Sequence, residues 1–221
     1  MNSIDIFGIR ILEPVGSGTD LIVSAVCFYA FYMISTRKSS DILFTYYKLY
    51  FLLMGIATIF GGLLGHAFMH YIDFAWKLPG WLISMLAIML VERASIEHTR
   101  SVLNPKIVRA FKIVNTVELS VFVFLTFYFM DFFFVELHSG YGLMFVVLSL
   151  HAFLYYTNKN AASKTILWGV GVAAVAALIF MNEISIHQWF NHLALSHTIM
   201  AISAWLFYKG VMKIEDTKPT V

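Results

Sequence analysis

The side chains most able to do chemistry in this chain are histidines and an acid at the ends of predicted helices. His66 and His70 follow Gly62 at intervals of four residues in GGLLGHAFMH, so a helix would place them on one stripe above a glycine gap. Asp20 lies near the start of the first apolar stretch, at a depth similar to that of His66. An acid beside imidazoles can ligate a metal, orient a histidine through its second nitrogen, or take a proton from a bound water.

A second set of polar side chains opens the seventh apolar stretch, in the sequence WFNHLALSH. Asn191 is predicted to cap this helix, which puts His192 in its first turn and Ser196 and His197 one turn further along. Five residues advance a helix by about 140°, so the two histidine rings can meet only if His192 precedes the regular helix. Glu13, in the lead-in to the first stretch, is a further candidate for this pocket.

Two ionisable residues lie deeper in the apolar part of the chain. Glu118 is near the middle of the fourth stretch, and His151 is at a comparable depth in the fifth. An ionisable residue inside a membrane is costly and needs a partner. We therefore expect Glu118 and His151 to pair, either as a packed polar contact or as a proton-handling pair.

Seven apolar stretches must position these residues. The composition is that of a membrane protein, because 60% of the 221 residues are hydrophobic and only 13% are charged, about half the charged fraction of a soluble domain. Judged against the roughly 20 apolar residues that span a bilayer, the predicted helices cover about residues 19–36, 44–69, 81–93, 107–130, 140–157, 164–182 and 189–210.

The basic residues are sorted between the two ends of these stretches. Only Arg10 and Lys77 lie on the side of the N-terminus, and the other 13 of the 15 Lys and Arg residues lie on the opposite side. Because Lys and Arg accumulate in cytoplasmic loops, the sequence predicts an all-α integral membrane bundle of seven transmembrane helices, with the N-terminus outside and the C-terminus inside. Residues 1–214 would form a single domain in the plasma (inner) membrane, and residues 215–221 a disordered cytoplasmic tail.

The composition argues against three features: an intrachain disulfide, a thiolate metal cluster and a nucleic-acid partner. Cys27 is the only cysteine, so an intrachain disulfide and a thiolate metal cluster are impossible. The basic residues are spread over loops and helix ends rather than gathered in one dense patch, which argues against a nucleic-acid partner.

The chain resembles the CREST superfamily, which includes the alkaline ceramidases and the adiponectin-receptor-like proteins, in its seven helices and in the histidines of the second and seventh. The resemblance implies a zinc ion held by one histidine of the second helix and two of the seventh, with a bound water that hydrolyses a lipid amide. His66 and His197 match two of these ligands. The chain departs from the superfamily at Gly62, where serine is usual, and at Leu193, where histidine is usual. His192 is the nearest alternative ligand.

The lead-in EPVGSGTD and the opening NHLALSH also resemble an uncharacterised bacterial family of seven-helix membrane proteins, which leaves two functions open. The first is a zinc-dependent hydrolase of a lipid amide or ester, in which His66, His192 and His197 bind the metal and Asp20 holds or deprotonates its water. The second is a non-enzymatic ligand-binding or sensor protein that uses the same outer pocket. In both, a membrane lipid is the expected partner, and the remaining pocket residues are Glu13, His70, Asn191 and Ser196.

Overall fold

Helices account for most of the chain in the computed structural model, which describes residues 2–215. Of the predicted tail at 215–221, only Glu215 falls within the described residues. Between residues 2 and 215 the chain forms seven helices, which we label α1 Pro14–Ser35, α2 Ile42–Ala67, α3 Phe74–His98, α4 Pro105–Phe129, α5 Phe133–Asn158, α6 Ala161–Met181 and α7 His192–Met212. The prediction of an all-α bundle with seven helices is therefore confirmed.

A short β-hairpin precedes the bundle and was missing from the sequence prediction. Strand β1 Ser3–Ile6 pairs antiparallel with β2 Ile9–Leu12. The two residues between them, Phe7 and Gly8, have positive φ angles of 52° and 79°, as a two-residue type I′ turn requires. The usual Asn-Gly or Asp-Gly signal for this turn is absent here, which is why the hairpin is not predicted from the local sequence.

Three helices are longer than predicted, because they continue beyond the apolar stretch into flanking residues that can also be helical. α1 begins at Pro14 rather than near residue 19, because proline is tolerated at the first helical position, where its missing N–H has no partner to lose. α3 continues to His98 rather than ending near residue 93. α5 begins at Phe133 rather than near residue 140, so that the apolar segment 133–137 belongs to the helix.

Six of the helices, α1 to α6, are long and apolar enough to cross a membrane. α7 has 21 residues, but its polar side chains, among them Ser196, His197 and Lys209, make it less apolar than the other six. The chain alternates direction through the bundle, so that α1, α3, α5 and α7 begin at one end and α2, α4 and α6 begin at the other. We call the first of these the N-terminal end of the bundle.

The core lies between α1, α2, α3, α6 and α7, while α4 is peripheral. α1 packs against α2 and α7, α2 against α3, and α6 against α7. Cys27, Tyr47, Phe51 and Phe207 are almost completely buried in this core. By contrast, only 11% of the most apolar 18-residue stretch of α4 is buried. Large side chains of this helix, such as Phe124, point away from the bundle.

Glycines set the distance between α6 and α7. A Cβ atom at Gly210 would lie 2.5 Å from Ile166 Cγ1 and 3.2 Å from the backbone oxygen of Ala162. Gly169 similarly meets the ring of Phe207, and its carbonyl accepts a hydrogen bond of 2.8 Å from Ser203 Oγ. Small residues allow the close backbone approach on which helix association in membranes depends.

We expect Gly210→Ala to destabilise the protein by about 1–3 kcal/mol, because the added methyl group has to displace backbone as well as side-chain atoms of α6. Gly171→Ala is the matched control, since a Cβ there has nothing within 4 Å, and it should leave stability unchanged or raise it by up to about 1 kcal/mol through the higher helix propensity of alanine. Thermal unfolding of the purified variants in one detergent measures both. Equal melting temperatures for the two variants would contradict this account of the α6–α7 contact.

Candidate metal centre

Three side chains from three helices come together at the N-terminal end of the bundle. They are Asp20 of α1, His66 of α2 and His197 of α7, and one ligand atom from each lies within 4.8 Å of the others. His66 Nε2 is 3.6 Å from Asp20 Oδ2, and His197 Nδ1 is 3.5 Å from Asp20 Oδ1. The carboxylate thus presents one oxygen to each imidazole, in the manner of a site for a cation.

The end of α2 is wound as a π-helix over Gly61–Ala67, and His66 lies in this segment. Short π-helical segments are rare and are frequent at functional sites. The wider winding breaks the predicted stripe of residues four apart. His70 lies beyond the end of α2, where its ring packs against Tyr71 with centroids 3.8 Å apart and the ring planes tilted by 41°, so it does not join the cluster.

Two glycines in this π-helical segment let α1 approach α2 closely. A Cβ at Gly62 would lie 3.0 Å from Asp20 Cβ and 3.1 Å from the backbone oxygen of Ser17, and one at Gly61 would lie 3.3 Å from Asp20 Oδ2. Ser17 Oγ donates a hydrogen bond of 2.8 Å to the Gly62 carbonyl. The gap that the sequence indicated above Gly62 is therefore filled by the segment of α1 that carries Asp20.

The first turns of α1 also fix the ring of His197. His197 Nδ1 is 3.4 Å from both Thr19 Oγ1 and the backbone oxygen of Gly16. Thr19 Oγ1 itself donates a hydrogen bond of 2.8 Å to the Gly16 carbonyl. These contacts place Nδ1 of His197 on the side of the ring that faces α1 and Asp20. α1 is therefore the element on which both histidines converge.

Asn191 and Glu13 link α7 to α1 at the same end of the bundle. Asn191 caps α7 as predicted, its Oδ1 accepting a hydrogen bond of 3.2 Å from the Ala194 N–H. Its amide nitrogen donates a second hydrogen bond, of 2.9 Å, to Glu13 Oε2. Glu13 is buried at 7% exposure, so this contact fixes where α7 begins relative to α1 and therefore supports the placement of His197.

His192 and Ser196 stand apart from the cluster. α7 is regular from His192 onward, so the five-residue spacing turns His192 away from His197. The His192 ring instead faces Phe180 of α6, with centroids 5.8 Å apart, and its backbone N–H donates to Ser185 Oγ. Ser196 Oγ donates to the Leu193 carbonyl within its own helix.

The expected pairing of Glu118 with His151 is wrong. Glu118 Oε1 lies 2.6 Å from His138 Nδ1, whereas His151 Nδ1 lies 3.0 Å from Ser163 Oγ. His138 and His151 are 13 residues apart on α5, which corresponds to about 20 Å of helix, so Glu118 can reach only one of them. Glu92 joins Glu118 and His138 in a second group of close ligand atoms, which the sequence analysis missed although both added residues are ionisable groups in apolar stretches.

We expect Asn191→Asp to lower stability by about 1–3 kcal/mol, because aspartate still caps α7 but cannot donate to the buried Glu13 carboxylate. Asn160→Asp is the matched control. Asn160 caps α6 through its hydrogen bond from the Ser163 N–H, so the change should be nearly neutral there. Chemical or thermal unfolding in detergent compares the two, and an equally small effect of both would show that the Glu13 link contributes little.

Comparison with known proteins assigns the chain to a family. Residues 15–216 match the model of a family of unknown function (DUF6962), and this range includes Asp20, His66 and His197. Neither the curated proteins nor the solved structures contain a significant match to the chain. Because the match covers nearly the whole length, the chain belongs to this family of unknown function.

Proposed function

We propose that this chain is a zinc-dependent integral membrane hydrolase that acts on a lipid amide or ester at the outer end of its bundle. The observation that supports the proposal is the convergence of Asp20, His66 and His197 from three helices, with ligand atoms within 4.8 Å of one another. Two imidazoles and one carboxylate form a donor set found in zinc hydrolases, which leave a further position open for water or substrate.

The chemistry of these residues fits a bound cation. Asp20 is buried at 5% exposure, and among the described residues its ion-pair partners are only His66 and His197. Removing a carboxylate from water is costly unless a positive charge compensates it. A divalent ion between these residues would supply that charge. In this arrangement Asp20 is itself the third ligand, a role that the resemblance to the CREST superfamily gives to the earlier histidine of the seventh helix, at the position of Leu193 in this chain.

When bound, zinc would polarise a substrate carbonyl and make hydroxide available near neutral pH. Neighbouring residues of the chain hold the two histidine ligands in position. Ser17 anchors the π-helical segment that carries His66 through its hydrogen bond to Gly62, and Gly16 with Thr19 orients His197. Large apolar side chains cover the outside of the helices, so the acyl chain of a lipid could reach the level of the site through the surrounding bilayer.

The proposed orientation places this site on the outer side of the plasma (inner) membrane. Arg10 and Lys77 are at the N-terminal end of the bundle, and the other 12 basic residues that the structure describes lie in or next to the opposite ends of the helices. Under the positive-inside rule the N-terminal end is the outer one. The C-terminus would then be cytoplasmic, as an odd number of spans requires.

A non-enzymatic ligand-binding or sensor protein is the second candidate. It is favoured by the two positions at which the chain departs from the CREST pattern, Gly62 and Leu193. Gly62 brings α1 rather than a serine hydroxyl to the site. A protein that binds the ion stoichiometrically but does not turn over lipids would fit this second function.

Asp20→Asn, His66→Ala and His197→Ala should each remove about one zinc ion per chain from the purified protein, because three protein ligands are the usual minimum for such a site. Elemental analysis of protein prepared without chelator is the measurement. His192→Ala and His70→Ala are controls that should keep the wild-type zinc content. Unchanged zinc in His66→Ala would argue against the metal site.

The same variants test hydrolysis. Wild-type protein in lipid vesicles should cleave a fluorescent ceramide or a fluorescent acyl ester, and His66→Ala should reduce the rate to that of empty vesicles. A different outcome is that the variants lose zinc while the wild-type protein cleaves neither class of lipid. That result would favour the binding or sensor function over the hydrolase.

Single-cysteine labelling tests the orientation. Cys27 is completely buried, so the native chain should give little background. Phe7→Cys, at the exposed turn of the hairpin, should react with a membrane-impermeant maleimide in intact cells. Ser40→Cys, between α1 and α2 at the other end, should react only after permeabilisation. The reverse pattern would place the zinc site on the cytoplasmic side.

A further inference from the structure

A second group of ligand atoms lies inside the bundle on three helices that contribute nothing to the first. Glu92 of α3, Glu118 of α4 and His138 of α5 each present one ligand atom within 4.8 Å of the others. Glu92 and His138 are completely buried, and the side chain of Glu118 is 9% exposed. Two carboxylates this close together in an apolar interior need either a bound proton or a compensating positive charge.

Hydrogen bonds hold His138 in the orientation of a metal ligand. His138 Nε2 is 3.0 Å from the backbone oxygen of Met85, and since a carbonyl only accepts, Nε2 carries the hydrogen. Nδ1 then faces the carboxylates, 2.6 Å from Glu118 Oε1. Histidines that bind metals are commonly fixed in this way, with the second ring nitrogen donating to a backbone carbonyl.

Two carboxylate oxygens of the cluster have no donor. Within the described residues, Glu92 Oε1 and Glu118 Oε2 are buried without a hydrogen-bond partner. The other oxygen of Glu92 accepts a hydrogen bond of 2.8 Å from Asn115. Arg93 donates to Asn115 Oδ1 at 2.6 Å, so in this network it reaches the carboxylate only through the amide. Buried acceptors without a donor are rare, and their presence here points to a bound species.

We propose that Glu92, Glu118 and His138 bind a divalent transition-metal ion, as a second site independent of the one at Asp20. One proton between Glu118 and His138 would satisfy only the two atoms that face each other, and a second proton on Glu92 would be needed to neutralise the other carboxylate. A single divalent ion balances both carboxylates, and both unpartnered oxygens can coordinate it. Mixed carboxylate and imidazole ligands suit zinc, manganese or ferrous iron.

A mostly apolar cavity of about 220 Å³ adjoins the cluster. Glu92 is the one proposed ligand that lines it, and Asn115, Tyr141 and Ser149 are its other polar lining residues. A water bound to an ion beside Glu92 would have room at this polar side of the cavity.

The two clusters share one construction. α5 is wound as a π-helix over Gly142–Val147, and a Cβ at Gly142 would collide with Glu92 Oε1. In the same way Asp20 lies against Gly61 and Gly62 at the start of the π-helical segment of α2. In both places a glycine at the start of a π-helical segment gives a carboxylate of a neighbouring helix the room to reach a histidine.

Metal titration of the full-length protein tests the second site. Wild-type protein, stripped with a chelator and reloaded with Zn²⁺ or Mn²⁺, should bind one ion more than Glu92→Gln or Glu118→Gln. Both variants keep the shape of the side chain but lose its charge. Glu136→Gln, on α5 but outside the cluster, is the matched control and should keep the wild-type ion content.

The two sites can be separated in the same experiment. His66→Ala should lose only the ion at Asp20, and the double variant with Glu92→Gln should lose both. Retention of the other ion in Glu92→Gln would show that the bundle remains folded. An ion content that is the same in wild type, Glu92→Gln and Glu118→Gln would overturn the proposal, whatever the outcome at His66. A wild-type protein with one ion that is lost in Glu92→Gln but kept in His66→Ala would support this site and contradict the first.

Discussion

The candidate metal centre depends on the close approach of α1 to the glycine-rich end of α2. Gly61 and Gly62 have no side chain, so Asp20 and the backbone at Ser17 can occupy the space beside them. The Ser17 hydrogen bond to the Gly62 carbonyl fixes this contact. Because α1 also packs on α7, one interface sets the positions of Asp20, His66 and His197 together.

Buried carboxylates are the common element of the two clusters. Asp20 and Glu92 both lie on helices of an apolar bundle, and both point at a π-helical segment of a neighbour. An unpaired charge in such an interior is costly, so each carboxylate is held beside a histidine. A cation bound at each place would compensate the charge of the buried carboxylate, and this favourable interaction would contribute to the affinity for the ion.

The third ligand of the candidate metal centre differs from the one that the sequence led us to expect. The resemblance to the CREST superfamily implied two histidine ligands from the seventh helix. In the structure His192 packs on Phe180, and the residue beside His66 and His197 is Asp20 of α1. A carboxylate in place of an imidazole makes the proposed set of ligands more negative by one charge.

The sequence by itself determined the seven helices, the Asn191 cap and the candidates Asp20, His66 and His197, because apolar runs and capping residues act locally. Only the tertiary structure decided which side chains of different helices contact one another. Helical spacing could exclude a shared face for His192 and His197, but it could not show that Glu118 meets His138 rather than His151. It also gave no sign of the π-helical segments or of the hairpin. Which residues meet across two helices depends on how far apart the helices lie and on how far one is shifted along the other. Both are set by packing contacts between residues that are distant in the sequence.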